Sequence, residues 1–557
     1  MKANKHLLLW SSLGTLAVLA WAAVEENFFR DWRVIQQEIR RRLPAAEAAA
    51  FAVQLRQIVS RDTGATDRCV SCHVGMAPGE SGLQGDRLFG RHPNVVHDPG
   101  SFGCVVCHGG QSRATDTADA HGRVPHWPEP MLPKEYSYAG CGTCHTHLSV
   151  PNLALLERGK ARFEQADCLA CHKVDGRGGT LRPGRAGGQE GPDLSRAGAT
   201  GYQPDWYERH LQHRKKAAGG PWVTAFGELS ETERLELDEY LRSRVGAPGL
   251  LEAKALFHSL GCRGCHKIRG VGGDDGPDLT AVGNKDPGQL NFSQVPGERT
   301  LANWLKQHFR APASVVRGSM MPELGLTEAQ IQQLTFYMLS LRRRSYPEAL
   351  WPKDRIRAER FGSREFATDG ATLYGTFCAA CHGPRGEGMR YPGFAAFPAI
   401  ANADFLRVAS DDFLREQIKR GRPGRRMPAW GEQEGGLREE EIGRLVAYVR
   451  GLGDVAYEGD GRPRRWIRGD AAQGQRLYAS ACASCHGERG EGKEGPALNN
   501  RVFLDLATDT YLLRTIQTGR RGTSMTGFAA GSAVRGALTD PEIASIVAFI
   551  RTWEGKK

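Results

Sequence analysis

The chain opens on an apolar run from Leu7 to Val24, preceded by Lys2 and Lys5, with Trp10 and Trp21 near its ends. Ala20-Trp21-Ala22 fits the small-residue site of a cleaved secretory signal. The run is long for such a signal, however. Its span and flanking aromatics predict a single uncleaved transmembrane helix, with the rest of the chain on the outer, periplasmic face of the cytoplasmic membrane. From Asn27 to about Ser60 the pattern is that of an amphipathic, arginine-rich helix, suited to a stalk or to docking against membrane subunits. No sustained period follows until about residue 150. Helical periodicity then returns four times, each time as an opening helix, a Gly-rich loop with a proline, a middle helix and a final amphipathic helix such as IGRLVAYVRGL. Final helices begin near Ser230, Thr327, Leu437 and Thr539, and Ser230 with Glu233 makes a capping box.

This divides the 557 residues into an anchor (1–24), a stalk (25–66), an aperiodic unit (67–150) and repeats at 151–247, 248–345, 365–456 and 469–557. Residues 346–364 and 457–468 are linkers. The predicted fold class is mainly α. With 40% hydrophobic and 25% charged residues, the composition excludes disordered, collagen-like and polytopic membrane classes.

Cysteine changes the picture. All 14 fall in C-x-x-C-H blocks: Cys69/Cys72, Cys104/Cys107, Cys141/Cys144, Cys168/Cys171, Cys262/Cys265, Cys378/Cys381 and Cys482/Cys485. The closing residues are His73, His108, His145, His172, His266, His382 and His486. Two thiols at this spacing form thioethers with the vinyl groups of one haem, and the next residue reaches the iron from the same side. A single C-x-x-C could equally be a disulfide, a zinc site or a redox pair. Seven copies, each closed by His and with no cysteine left over, predict seven covalently bound haem c groups.

The formal charge of +11 suggests a binder of polyanions. Haem propionates remove roughly 7 to 14 units, so many basic residues read as propionate partners and nucleic-acid binding loses its support. The first three blocks lie within 80 residues, too dense for independent cytochrome folds, and form a triheme unit. For their distal ligands the order of preference is His97, His92 and His121, followed by His126 and His147. The fifth, sixth and seventh haems are offered Met321, Met427 and Met525, with Met320 and Met389 as competitors. The fourth breaks the pattern: a gapless alignment puts Val223 opposite Met321 and Thr224 opposite Pro322, and no methionine lies between His172 and Cys262. His213 is the leading substitute; a vacant position, His258 or a triheme residue remain open, and His210 reads as structural.

The four repeats resemble the class I cytochrome c fold over most of residues 151–557. That resemblance implies that the carbonyls of Pro192, Pro277, Pro398 and Pro496 orient the proximal histidines, and that late-loop methionines bind the opposite face. The stretch from DRCVSCH through HPNVVHDPGSFGCVVCHGG to WPEPMLPKEYSYAGCGTCH is similar to membrane-anchored multihaem cytochromes c of bacterial quinol-oxidising complexes. This second resemblance covers residues 25–175 and departs in placing the histidine after the third block at 147. It implies cytochrome b and Rieske-type subunits as partners, with electrons passing to a terminal oxidase or soluble carrier. Bis-histidine ligation gives lower potentials than methionine–histidine ligation, so the expected gradient runs outward from the membrane. A haem enzyme with an open fourth iron, and a donor or wire serving an oxidase, reaction centre or extracellular acceptor, are the alternatives. The mass of the denatured polypeptide is expected to exceed that of the chain by seven haems, and paired serine substitution of Cys262 and Cys265 is expected to remove one of them.

Overall fold

A computed structural model describes residues 2–60, 62–77, 80, 82, 86, 89–93, 95–179, 191–199, 209 and 229–554. His210, His213, Val223 and Thr224, on which the reading of the fourth haem rests, lie outside these residues.

Helix α1 spans Lys2–Val24 and has no buried contact with the rest of the described protein. Its polar groups are closed locally, Ser11 Oγ donating to the Leu8 carbonyl and Thr15 Oγ1 to that of Ser11 (both 2.9 Å), as an apolar surrounding requires. The stalk differs from expectation. Instead of one helix to Ser60 there is a π-helical turn over Glu25–Phe29, helix α2 over Asp31–Arg42 and a short helix over Ala45–Ala50. Pro44 is the reason, because its ring drives the preceding Leu43 into an extended conformation (ψ 150°). Helix α2 buries Trp32, Gln36 and Ile39 along one face. The Gln36 amide bonds both the Gln54 carbonyl (2.9 Å) and the Ser71 carbonyl (2.7 Å), tying the stalk to the first cysteine block.

The described part of residues 67–150 is built of short helices and turns held by polar side chains. Asp67, 1% exposed, accepts from the Cys69 amide (3.0 Å) with one oxygen and from the Cys104 and Val105 amides (2.7 and 3.0 Å) with the other. One carboxylate thus fixes the start of two attachment blocks.

The repeats are built on helix pairs. These are α3 (Leu153–Gln165) with α4 (Glu231–Arg242), α5 (Leu250–Ser259) with α7 (Glu328–Ser340), α9 (Gly370–Phe377) with α11 (Glu439–Gly453), and α12 (Ala471–Ala481) with α14 (Asp540–Arg551). Between them lie α6 (Leu301–Arg310), α8 (Lys353–Phe361), α10 (Asp411–Arg420) and α13 (Asp509–Thr518). The helices of a pair approach to backbone contact: a Cβ on Gly474 would lie 1.9 Å from the Ser545 carbonyl oxygen, and one on Gly159 would lie 2.2 Å from that of Glu236.

The sixth and seventh repeats share one hydrophobic core rather than standing as separate units. Their contact has an internal two-fold relation. Arg422 lies over Phe503 (4.9 Å) while Arg520 lies over Phe405 (4.8 Å), and the Asn402 amide donates to the Arg521 carbonyl (2.8 Å) while that of Asn500 donates to the Pro423 carbonyl (3.1 Å). The same patch of each repeat meets its counterpart, as in an isologous dimer.

Three parts of the chain meet at Glu365. Its carboxylate lies 3.1 Å from Lys254 Nζ, 3.3 Å from Arg263 Nη2 and 3.1 Å from Arg269 Nη1, while Lys254 also donates to the Thr146 and His147 carbonyls. Burial alone would raise the Glu365 pKa, but Lys254, Arg269 and Arg263 outweigh it and hold the carboxyl well below its ordinary value. Its stabilising contribution is therefore complete above the unfolded pKa of about 4.3 and is lost as pH falls from there toward the lower folded value. Glu365→Gln, which leaves three buried or half-buried cations facing no anion, is expected to cost about 3–5 kcal/mol and to flatten this acid limb, both read from denaturant unfolding as a function of pH.

Candidate haem-binding sites

Each attachment block sits on a single tight turn, so the closing histidine amide reaches back to the first cysteine carbonyl; His266 to Cys262 and His486 to Cys482, both 3.0 Å, are examples. The turn places both thiols and the imidazole on one side of the chain. In the four repeats the ring Nδ1 is held by a proline carbonyl: His172 by Pro192 (2.9 Å), His266 by Pro277 (2.8 Å), His382 by Pro398 (2.9 Å) and His486 by Pro496 (2.8 Å). With Nδ1–H donating, Nε2 keeps its lone pair for a metal. Burial lowers the pKa of His73, His108, His266, His382 and His486, which keeps these rings neutral and able to ligate.

The thiols fit covalent haem better than a thiolate–metal site. Burial pushes Cys72 and Cys107 up to about 11, and Cys141, Cys168, Cys262, Cys378 and Cys482 up to about 12. A neutral thioether suits such surroundings, whereas zinc requires thiolates. All fourteen cysteines are free of disulfides.

Cys171 differs from the other thirteen cysteines in its exposure, since every other one is at least partly covered. Cys485 is half-buried beside the exposed Ser484, whose hydroxyl donates to its Sγ at 3.9 Å. Each is the second cysteine of its block, and its backbone carbonyl is bonded by the loop that follows, as that of Cys265 is by the Gly276 amide (2.8 Å). The Cys171 carbonyl accepts from the Gly191 amide (2.7 Å), and that of Cys485 from the Gly495 and Lys493 amides (2.9 and 3.1 Å). The attachment turn itself is kept, with the Cys171 amide donating to the Cys168 carbonyl (3.3 Å) and the Cys485 amide to that of Cys482 (3.2 Å).

In the triheme unit the histidines fall into pairs. The His73 and His121 rings lie 6.3 Å apart between centroids, His108 and His92 6.1 Å, and His145 and His97 6.2 Å. His147 instead stacks on His145 at 5.4 Å with the rings 12° from parallel, and its Nε2 is buried without a hydrogen-bond partner. His126 is exposed and has a left-handed backbone (φ 65°).

Met427 and Met525 occupy equivalent loops: the Arg422 amide donates to the Met427 carbonyl (2.8 Å) and the Arg520 amide to that of Met525 (2.7 Å). Both side chains pack against the shared core of the last two repeats, and Met321 packs against the core of the fifth. Met320 is 56% exposed, and Met389 is engaged in a bridge with Phe397. His258 is buried in α5 with neither ring nitrogen hydrogen-bonded, edge-on to Phe366 at 6.0 Å.

Sequence reasoning missed Asp354 and Asp67. Asp354, on the linker helix α8, lies 3.2 Å from His145 Nδ1 across 209 positions of chain. Nothing in either local sequence announces that contact. Asp67 stands two residues before the first block, where a short acceptor capping the turn could have been suspected.

Comparison with known proteins agrees with this chemistry. The cytochrome c family model matches residues 156–244 and 250–342, and the model of cytochrome c oxidase, cbb3-type, subunit III matches residues 365–449 and 469–550. The cbb3-type cytochrome c oxidase subunit FixP of Bradyrhizobium diazoefficiens is 30% identical over 199 residues, covering 34% of this chain and 61% of that protein. Subunit CcoP of Rhodobacter capsulatus is 28% identical over 198 residues, covering 33% of this chain and 62% of that protein. The chain thus spans about six tenths of the length of these curated relatives. Among solved structures, thiosulfate dehydrogenase from Marichromatium purpuratum is 18% identical, covering 71% of this chain and 90% of that one, at a TM-score of 0.17, too low to define a common architecture. Cytochrome c domains over most of residues 156–342 and 365–550, C-x-x-C-H blocks and one apolar helix long enough to cross a membrane are what this chain shares with multihaem cytochromes c.

Proposed function

We propose that the chain is a heptahaem cytochrome c on the outer face of the membrane, carrying electrons from a quinol-oxidising complex toward a terminal oxidase. The observation that carries this reading is the set of seven prepared imidazoles. Four are held by proline carbonyls, and three face a second histidine at 6.1–6.3 Å. Two imidazoles on opposite faces of one metal, each bonded at about 2 Å, have ring centres roughly 6 Å apart. His121, His92 and His97 would accordingly hold the first three irons together with His73, His108 and His145, and Met321, Met427 and Met525 would serve the fifth, sixth and seventh.

Haem iron, when bound, supplies one-electron transfer with no bond made or broken in a substrate. The protein's task is then to hold the ligands, exclude water and keep successive sites close. Cys69 and Cys104 bring their sulfurs within 4.8 Å. Gly140 packs on the Cys107 backbone, Gly142 on Ser340 at the end of the fifth repeat, and Gly261 on Ala380 of the sixth block. The shared core then joins the sixth block to the seventh. These contacts support a continuous route from the membrane-proximal unit to the last repeat.

The family model that matches residues 365–449 and 469–550 is that of an oxidase subunit, and curated relatives of the chain are oxidase subunits, which supports an oxidase as the recipient. The likeness of residues 25–175 to cytochromes of quinol-oxidising complexes favours cytochrome b and Rieske-type subunits as the donor side. His121→Ala, His92→Ala and His97→Ala are each expected to convert one low-spin ferric signal to high spin and to open one haem in seven to carbon monoxide. Purification of the native protein in mild detergent is expected to retain oxidase or cytochrome b and Rieske subunits, with quinol-driven haem reduction. A lone cytochrome that quinol does not reduce in membranes would overturn the assignment.

A further inference from the structure

Among the described residues, the Nδ1 of His145 faces a carboxylate, whereas those of His172, His266, His382 and His486 each face a neutral proline carbonyl. The carboxylate is fixed in place. Asp354 Oδ2 accepts from the Thr146 and His147 amides, both at 2.8 Å, leaving Oδ1 directed at the ring at 3.2 Å. Asp354 lies in the first turn of α8, where the helix N-terminus favours negative charge. Among the described residues no lysine or arginine pairs with it. The neighbouring Arg355 is turned away, over the Trp351 ring at 4.2 Å and toward Glu359 at 3.7 Å. The side chain is 22% exposed, so bulk water screens the contact only in part.

We infer that Asp354 is a positioning residue that lowers the potential of the third haem by charge-assisted hydrogen bonding to its proximal ligand. An imidazole that donates to an anion is a stronger electron donor to its metal than one that donates to a carbonyl. It stabilises the ferric over the ferrous iron, and second-shell hydrogen bonding is among the levers that set haem potential. The segment from 346 to 364 is then more than a linker: it reaches back to set the electron affinity of a site in the membrane-proximal unit.

The inference rests on the reading that His145 binds an iron, and the haem count by mass tests that reading separately. In purified full-length protein, Asp354→Asn keeps an acceptor oxygen and removes the charge. It is expected to shift one step of the redox titration upward by about a tenfold change in the ferrous-to-ferric ratio, near 59 mV for one electron, with the other six steps in place. Asp354→Glu, which keeps the charge, is expected to preserve the wild-type midpoints. An Asn variant with all seven haems attached and every midpoint unchanged overturns the inference. If the Asn variant loses a haem, the wild-type spectrum decides. The low-spin ferric signal that disappears in His97→Ala must show a stronger axial field than those lost in His92→Ala and His121→Ala, and equal fields overturn the inference.

Discussion

The arrangement of the repeats turns on presenting an imidazole with one nitrogen bare and the other held. A histidine that swung freely would bind iron poorly and position it worse, so a ring gains from a fixed acceptor at Nδ1, which five of the seven closing histidines have among the described residues. The repeats provide one from their own loops, ten to twenty residues downstream, as with Pro496 for His486 and Pro192 for His172. Local provision makes each repeat self-sufficient. Among the described residues of 67–150 no proline carbonyl serves in this way, and His145 instead takes Asp354 from beyond the fifth repeat.

That difference explains how the parts are joined. Where a repeat carries its own apparatus, neighbours meet through apolar cores and matched surfaces, as the last two do across Phe413 and Tyr511, whose rings stack at 5.0 Å. Where sites are crowded, charge and backbone replace apolar packing. Asp67 gathers two attachment blocks, and Glu365 collects Lys254, Arg263 and Arg269 where the triheme unit meets the fifth and sixth repeats. Such buried clusters add little net stability, but removing one member is costly.

Much of this was legible from residue order. The C-x-x-C-H blocks, the helix pairs and the loop prolines are local patterns, and so is the capping box at Ser230, with Glu233 accepting from the Ser230 amide at 2.7 Å. Pairing was harder to read. The sequence offered five histidines for three irons, and nothing in their spacing says that His92 faces His108 while His97 faces His145. Identical blocks also hide unequal surroundings, because the motif does not fix how far its thiols are covered, and Cys171 is exposed where the other cysteines are partly covered. The stalk was misread because amphipathic spacing continues across Pro44, where the backbone cannot remain helical. The shared core of the last repeats was hidden because inward apolar positions look alike whether one core or two receive them.

The buried thiols also bear on how such a chain is made. Thioether formation needs sulfur within reach of a vinyl carbon and willing to react, yet in the closed fold Cys141, Cys262 and Cys378 stand at about 12, deep among their neighbours. A cofactor joined to these three blocks would meet less obstruction before the contacts of Asp67 and Glu365 draw the segments together, and would then lie where the fold closes.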